Sequence, residues 1–302
     1  MKKVLSVTGG GPKAGGLKAA GKVFKEMRDK PDIMIGQSSG ALTIPILAAS
    51  YEYPEVLDKA LEMAGTLEMR DIFPFAGNRP FTEEGDVPLN AYFRAATGHN
   101  HLGWQDIRPL YKKLFKKKHL KALQRSSIEC IAFGVIGKNG MPEMKVMNRA
   151  KTVDELIDMI EETARIVPFV QHANGRIDGG FVAFSPGVWL LMQNPEQISE
   201  YTAIYADPVK TGVGTNENWD KNIITVTGQI MGITTNYIAY YGAVIEELLC
   251  KQHNINYTRV ECPDGYLKLM YDTDDKRLQA FAQASREAAI ERLTNNDTPS
   301  LL

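Results

Sequence analysis

Apolar positions along the chain fall into two alternating rhythms. Short β-branched runs at Lys3 to Thr8 and Asp32 to Ile35 are each followed by a stretch with helical spacing, Gly16 to Arg28 and Ala41 to Ser50. Further runs at Ile128 to Gly137, Thr202 to Tyr205, Ile223 to Val226 and Tyr257 to Val260 predict strands. Helices are predicted at Val153 to Ala164, Gly228 to Cys250 and Asp274 to Leu293. Strands alternating with helices predict an α/β fold with a central, mostly parallel sheet. No repeat, low-complexity block or long linker interrupts the pattern, and 302 residues lie near the upper end of what one core serves. Residues 1–302 are therefore expected to form a single domain.

Composition narrows the function classes. Hydrophobic residues at 44% and charged residues at 24% are ordinary for a globular chain and argue against disorder. A net charge of −1 and a pI near 6.5 give no global attraction to nucleic acid, so no nucleic-acid partner is expected. Cys130, Cys250 and Cys262 are far apart and form no Cys-x-x-Cys pair, so they read as free buried thiols. His99, His101, His119 and His172 lack metal-ligand spacing and read as surface or loop residues; neither a metal nor another cofactor is expected. The segment MKKVLSVTGGGPK has too short an apolar run for a secretory leader. Ile230 to Leu249 is interrupted by Thr, Asn and Tyr and runs into Glu246 and Glu247, against a membrane span. A cytoplasmic location is the expectation.

Three motifs carry chemistry. Gly36-Gln37-Ser38-Ser39-Gly40-Ala41 lies between a strand-like run and an apolar helical run. A G-x-S-x-G in that setting is a nucleophile elbow: Gly36 and Gly40 permit a tight strained turn that lifts Ser38 above the sheet, and the next helix aims its N-terminal dipole at the site. Without that context the same motif is only a turn. The Gly9-Gly10-Gly11-Pro12-Lys13-Ala14-Gly15-Gly16 segment follows the first strand and opens a helix, so its N–H groups can converge on an anion. A phosphate loop fails because Leu17 stands where the lysine is required. A dinucleotide fingerprint fits Gly9, Gly11 and Ala14 but lacks the acid at the end of the second strand, which leaves a dinucleotide-binding oxidoreductase as a weak alternative. An oxyanion hole formed around Gly9, Gly10, Gly11 and Lys13 is the reading that also accounts for Ser38. The third motif, Arg176-Ile177-Asp178-Gly179-Gly180, is in isolation a plain turn.

Taken in order, a G-G-G-x-[KR] turn, a G-x-S-x-G-A elbow and a D-G-G resemble the signature of the patatin-like phospholipases, with motifs spread over Lys3 to Pro186. The resemblance implies a three-layer α/β/α fold and a Ser38 and Asp178 catalytic dyad without histidine. Gly36, Gly40, Gly179 and Gly180 would support the two residues. The implied activity is hydrolysis of carboxylic esters in phospholipids or lysophospholipids. Ala14 stands where the family usually has Gly, and Thr163-Ala164-Arg165-Ile166-Val167-Pro168 keeps the family's proline but not all of its small residues. These departures keep a non-catalytic relative that binds lipid or a protein partner as an alternative.

Two stretches bear on the substrate. RPLYKKLFKKKHLKALQR, from Arg108 to Arg125, holds eight basic residues and no acid, with Ile107, Leu110, Tyr111, Leu114 and Phe115 on one helical face. A basic amphipathic helix over 105–125 can rest on an anionic membrane surface as a peripheral contact; packing against the core with a solvated basic side is the competing reading. Phe73-Pro74-Phe75 and Arg79-Pro80-Phe81 could form an acyl pocket or an ordinary packed loop.

Overall fold

The computed structural model describes residues 1–73, 89–97, 105–165, 174–181, 185–209, 223–267, 274–295 and 300–301. In chain order the strands are β1 (Lys2–Val7), β2 (Ile33–Gly36), β3 (Glu129–Ile136), β4 (Met141–Val146), β5 (Arg176–Asp178), β6 (Ile198–Tyr205) and β7 (Asn256–Glu261). The helices are α1 (Ala14–Met27), α2 (Ser39–Ser50), α3 (Glu55–Gly65), α4 (Met69–Ile72), α5 (Leu89–Ala96), α6 (Arg108–Leu114) and α7 (Lys117–Arg125). They continue with α8 (Val153–Glu161), α9 (Val188–Gln193), α10 (Ile223–Gln252) and α11 (Asp275–Asn295).

The sheet order is β4-β3-β2-β1-β6-β7, with β5 pairing to β3 off that path. β1, β2, β3, β6 and β7 are parallel neighbours, and β4 and β5 run antiparallel to β3. Because side chains alternate across a strand, each central strand feeds two cores. Leu5, Val7, Met34, Cys130, Ala132 and Ile204 join one core with α1, α2, α3, α7 and α11. Val4, Ile35, Ile131, Phe133, Tyr201 and Tyr205 join the other, under α9 and α10. The fold is therefore α/β, with a mostly parallel sheet flanked by helices on both faces. A strand buried on both faces must be apolar throughout, which is why β1 and β2 read as continuous runs.

The register explains how distant motifs meet. β2 pairs with β3 from Glu129 to Ala132, and Gly36 stands opposite Ala132. β5 pairs with β3 from Gly134 to Ile136, and Asp178 stands opposite Gly134. β4 covers the other edge of the same β3 residues, so β5 lies on the β2 edge and continues where β2 ends. The end of β2 and the end of β5 are thus two β3 residues apart, about 7 Å along the strand.

Several expectations are revised. Ile223 to Val226 is not a strand but the start of α10; β-branched residues in a short apolar run fit either state, and the helix continues through them. The predicted 105–125 helix is two helices, broken where Phe115 turns extended before Lys116. Its apolar residues Ile107, Tyr111, Leu114, Phe115, Leu120 and Leu123 are buried in the α1/α2 core. His119 is buried rather than a surface residue, and its Nδ1 accepts from the Lys116 N–H at 3.0 Å, capping α7. Cys130, Cys250 and Cys262 are buried free thiols. Among the described residues, no helix is long and apolar enough to cross a membrane. His99, His101, His172, Pro168 and the segment from Pro74 to Phe81 lie outside the described residues.

Candidate active site

Ser38 sits at φ 51 and ψ −127, between the last residue of β2 and the first of α2. A positive φ at a residue with a Cβ costs on the order of 1–3 kcal/mol and persists only where neighbours over-determine it. Here they do. The Ser38 N–H donates to the Thr163 carbonyl at 3.1 Å and to Thr163 Oγ1 at 3.1 Å. Gly40 and Ala41 N–H groups both donate to the Gln37 carbonyl, at 2.8 and 3.2 Å, closing the turn. The turn also has no room for side chains at its flanking glycines. A Cβ on Gly40 would lie 2.2 Å from the Val7 carbonyl oxygen, and one on Gly36 would lie 2.7 Å from Gly40 backbone atoms. α2 continues as a helix buried on nearly every side, as an all-apolar helix must be.

Asp178 ends β5 and is buried. Its N–H donates to the Arg165 carbonyl at 3.0 Å, and its Oδ1 accepts from the Gly180 N–H at 2.8 Å. The Ser38 side chain adjoins this carboxylate. Burial pushes the carboxyl up from 3.8 to about 6, opposed by the Gly180 hydrogen bond and by the adjoining Ser38. The short segment after α8 therefore holds both residues, gripping Ser38 through Thr163 and Asp178 through Arg165. Arg165 is itself fixed, with Nη1 donating to the Gln105 carbonyl at 2.6 Å and Nη2 paired with Glu161 at 3.0 Å.

The glycine loop lies against the serine. A Cβ on Gly9 would fall 2.7 Å from Ser38 Cβ, and Gly10 abuts Ala206 beyond β6. Neither the Gly9 nor the Gly10 N–H donates to an acceptor among the described residues. Gly11, at φ 55, opens a 3-10 turn that leads into α1 and lines the cavity beside Ser38. Lys13 departs from its expected place among the oxyanion donors: its N–H closes that turn on the Gly10 carbonyl at 3.1 Å, and its ammonium pairs with Asp207. Gly179 packs under Phe133 and Gln37, and Gly180 faces Asp178.

A cavity of about 110 Å³ opens beside Ser38. Leu42, Ile46, Met63 and Leu67 supply apolar walls, and Lys18, Ser39 and Tyr111 also reach it. The sequence alone gives none of these three polar residues a place in a cavity. The available signal was Lys18 itself, a cation four residues after Ala14 and three before Gly21, on the face that α1 buries.

No family model and no curated protein matches this chain. Among solved structures, one match is the crystal structure of VipD from Legionella pneumophila, at a TM-score of 0.46 and 12% identity, covering 98% of this chain and 67% of that chain. A likeness that distant assigns the chain no family.

Proposed function

We propose that the protein is a serine acyl hydrolase in which Ser38 is the nucleophile and Asp178 its base, acting on carboxylic esters of phospholipids or lysophospholipids. The observation that carries this reading is a serine on a strained strand-to-helix turn that adjoins a buried carboxylate. A carboxyl raised to about 6 is a better proton acceptor than an ordinary aspartate, yet remains roughly nine-tenths ionised at pH 7.

In the first half-reaction Asp178 takes the Ser38 proton as Oγ bonds to the ester carbonyl carbon. The N–H groups of Gly9 and Gly10 stabilise the oxyanion that forms. Collapse breaks the bond to the alcohol, which leaves with the proton held by Asp178. Asp178 then activates a water molecule, which releases the acid and restores Ser38. The apolar cavity beside Ser38 suits an acyl chain.

Fatty-acid release from mixed phospholipid vesicles and labelling by a fluorophosphonate test the reading. Ser38→Ala and Asp178→Asn are each expected to lower kcat by about 10³-fold or more. Native protein that resists the probe and releases no acid would leave only a binding role for the site. The profile of kcat/KM should rise with pH until about 6 and then level, because the deprotonated carboxylate is the working form.

Peripheral contact with an anionic surface through 105–125 is a second, narrower proposal. With the apolar face buried, it rests on charge alone. Arg108, Lys112, Lys118 and Arg125 are paired with acids, whereas Lys113, Lys117 and Lys121 form no ion pair among the described residues. Replacing those three with Gln should weaken turnover on anionic vesicles by severalfold and leave a soluble ester unaffected. Equal effects on both substrates would remove the surface role.

A further inference from the structure

Lys18 lies on α1 and lines the same cavity as Ser38. It is buried, and its ammonium makes one hydrogen bond, to the Ala14 carbonyl one turn earlier at 3.4 Å. That is long for an N–H···O contact, and no carboxylate pairs with it among the described residues. Burial alone pushes it down to about 8, so it remains largely charged at neutral pH. On the same walls, the Ser39 and Tyr111 hydroxyls are buried without a hydrogen-bond partner. Native interiors pair nearly all such groups, and a buried cation is ordinarily paired with an anion.

The Lys18 ammonium can donate and carries a positive charge. Its complement is an anion, reached along an apolar path. The room is limited, since a cavity of about 150 Å³ holds a benzene ring. We propose that the cavity receives a short acyl chain ending in a carboxylate, and that Lys18 sets the specificity of the hydrolase by binding that carboxylate. The inference rests on the hydrolase reading for its chemistry and on Lys18 for its selectivity. A phosphate headgroup, carried on the leaving alcohol, would leave the apolar walls without a matching chain.

The test compares two probe esters with one leaving group, the mono-4-nitrophenyl ester of adipic acid and 4-nitrophenyl hexanoate. Native protein is expected to show at least tenfold higher kcat/KM for the adipate ester. Lys18→Met and Lys18→Gln should both abolish or invert that preference, read as the ratio of the two kcat/KM values within each variant. A binding arm uses the Ser38→Ala protein with monomethyl adipate in calorimetry, where adding Lys18→Met should weaken binding at least tenfold. Equal rates for the two esters in native protein, or a preference unchanged by both Lys18 substitutions, overturns the inference and leaves the hydrolase reading standing. A preference for hexanoyl glycerol phosphate over hexanoyl glycerol, without one for the adipate ester, moves the anion to the alcohol side and likewise overturns it. If no ester is hydrolysed and the fluorophosphonate does not label Ser38, the hydrolase reading fails, and the calorimetric arm alone decides whether Lys18 binds a carboxylate.

Discussion

Glu246 of α10 and Lys18 of α1 are buried on opposite faces of one sheet, and their surroundings differ in kind. Glu246 accepts hydrogen bonds from Ser185, from Tyr201, from Tyr205 at 2.8 Å and from Tyr257 at 3.2 Å. Ser6 extends the cluster by a 3.1 Å contact with Ser185. Lys18 has a single long bond to its own helix and a cavity in front of it. Both groups are displaced from their ordinary titration in the direction burial dictates: Glu246 is raised and Lys18 lowered. The four hydroxyl donors moderate the shift on Glu246, while nothing moderates it on Lys18. A polar group that supports the fold arrives with its partners in the same chain. One that faces an open cavity without them is arranged for a partner from outside, and it weakens the empty protein.

The largest expected effect tests the first half of that contrast. Glu246→Ala strips the acceptor from four hydroxyls and should destabilise the protein by about 3–5 kcal/mol in chemical denaturation, with Glu246→Gln costing far less. A loss below about 1 kcal/mol for the alanine variant would mean that the cluster does not support the fold.

Next comes Lys18→Met, which should stabilise the protein by about 3 kcal/mol at pH 7. The sign follows from a folded titration near 8 against 10.5 unfolded. The native protein loses stability as pH falls from above 10 through 8, so the advantage of methionine should fade in alkaline solution. No gain at pH 7 would contradict the picture of an uncompensated cation.

Asp178→Asn sharpens the comparison from inside the candidate active site. Its carboxyl holds a proton to about pH 6 when folded and to 3.8 when unfolded, so the favourable contribution is whole below about pH 4 and lost above about 6. The amide should therefore raise stability by about 2–3 kcal/mol at pH 7 and by little at pH 4, while removing activity. The smallest effect is Tyr257→Phe, which removes the longest bond to Glu246 and should cost about 1 kcal/mol with no change in ester turnover.

The parts of this architecture that the chain announces are those whose physics is local. β1, β2, β3 and β6 are largely buried on both faces and stand out as apolar runs. The elbow is legible because a strained turn needs glycines at fixed offsets around Ser38. β4 leaves no such run, because this edge strand is half solvated and carries Pro142 and Lys145 among its apolar residues. β5 is silent because three residues hold no periodicity, although the glycines that follow mark its last residue. The 108–125 segment kept its helical period across a break that only the core imposes, at Phe115. Lys18, Ser39, Tyr111 and Glu246 are ordinary residues in ordinary helices until tertiary packing brings a cavity or three tyrosines to them. Arg165 works through its backbone carbonyl, and Thr163 through its carbonyl and its hydroxyl, contacts that no side-chain pattern discloses.

β3 carries β2 and then β5 along a single edge, and so acts as a shared ruler for Ser38 and Asp178. Their spacing is set by the pleat of one strand, whatever length of polypeptide travels between them. Insertions or deletions in the excursion from α3 to α6 should therefore change what surrounds the serine without altering its distance to the carboxylate. A scaffold of this kind lets the walls that choose a molecule vary independently of the pair that would cut it.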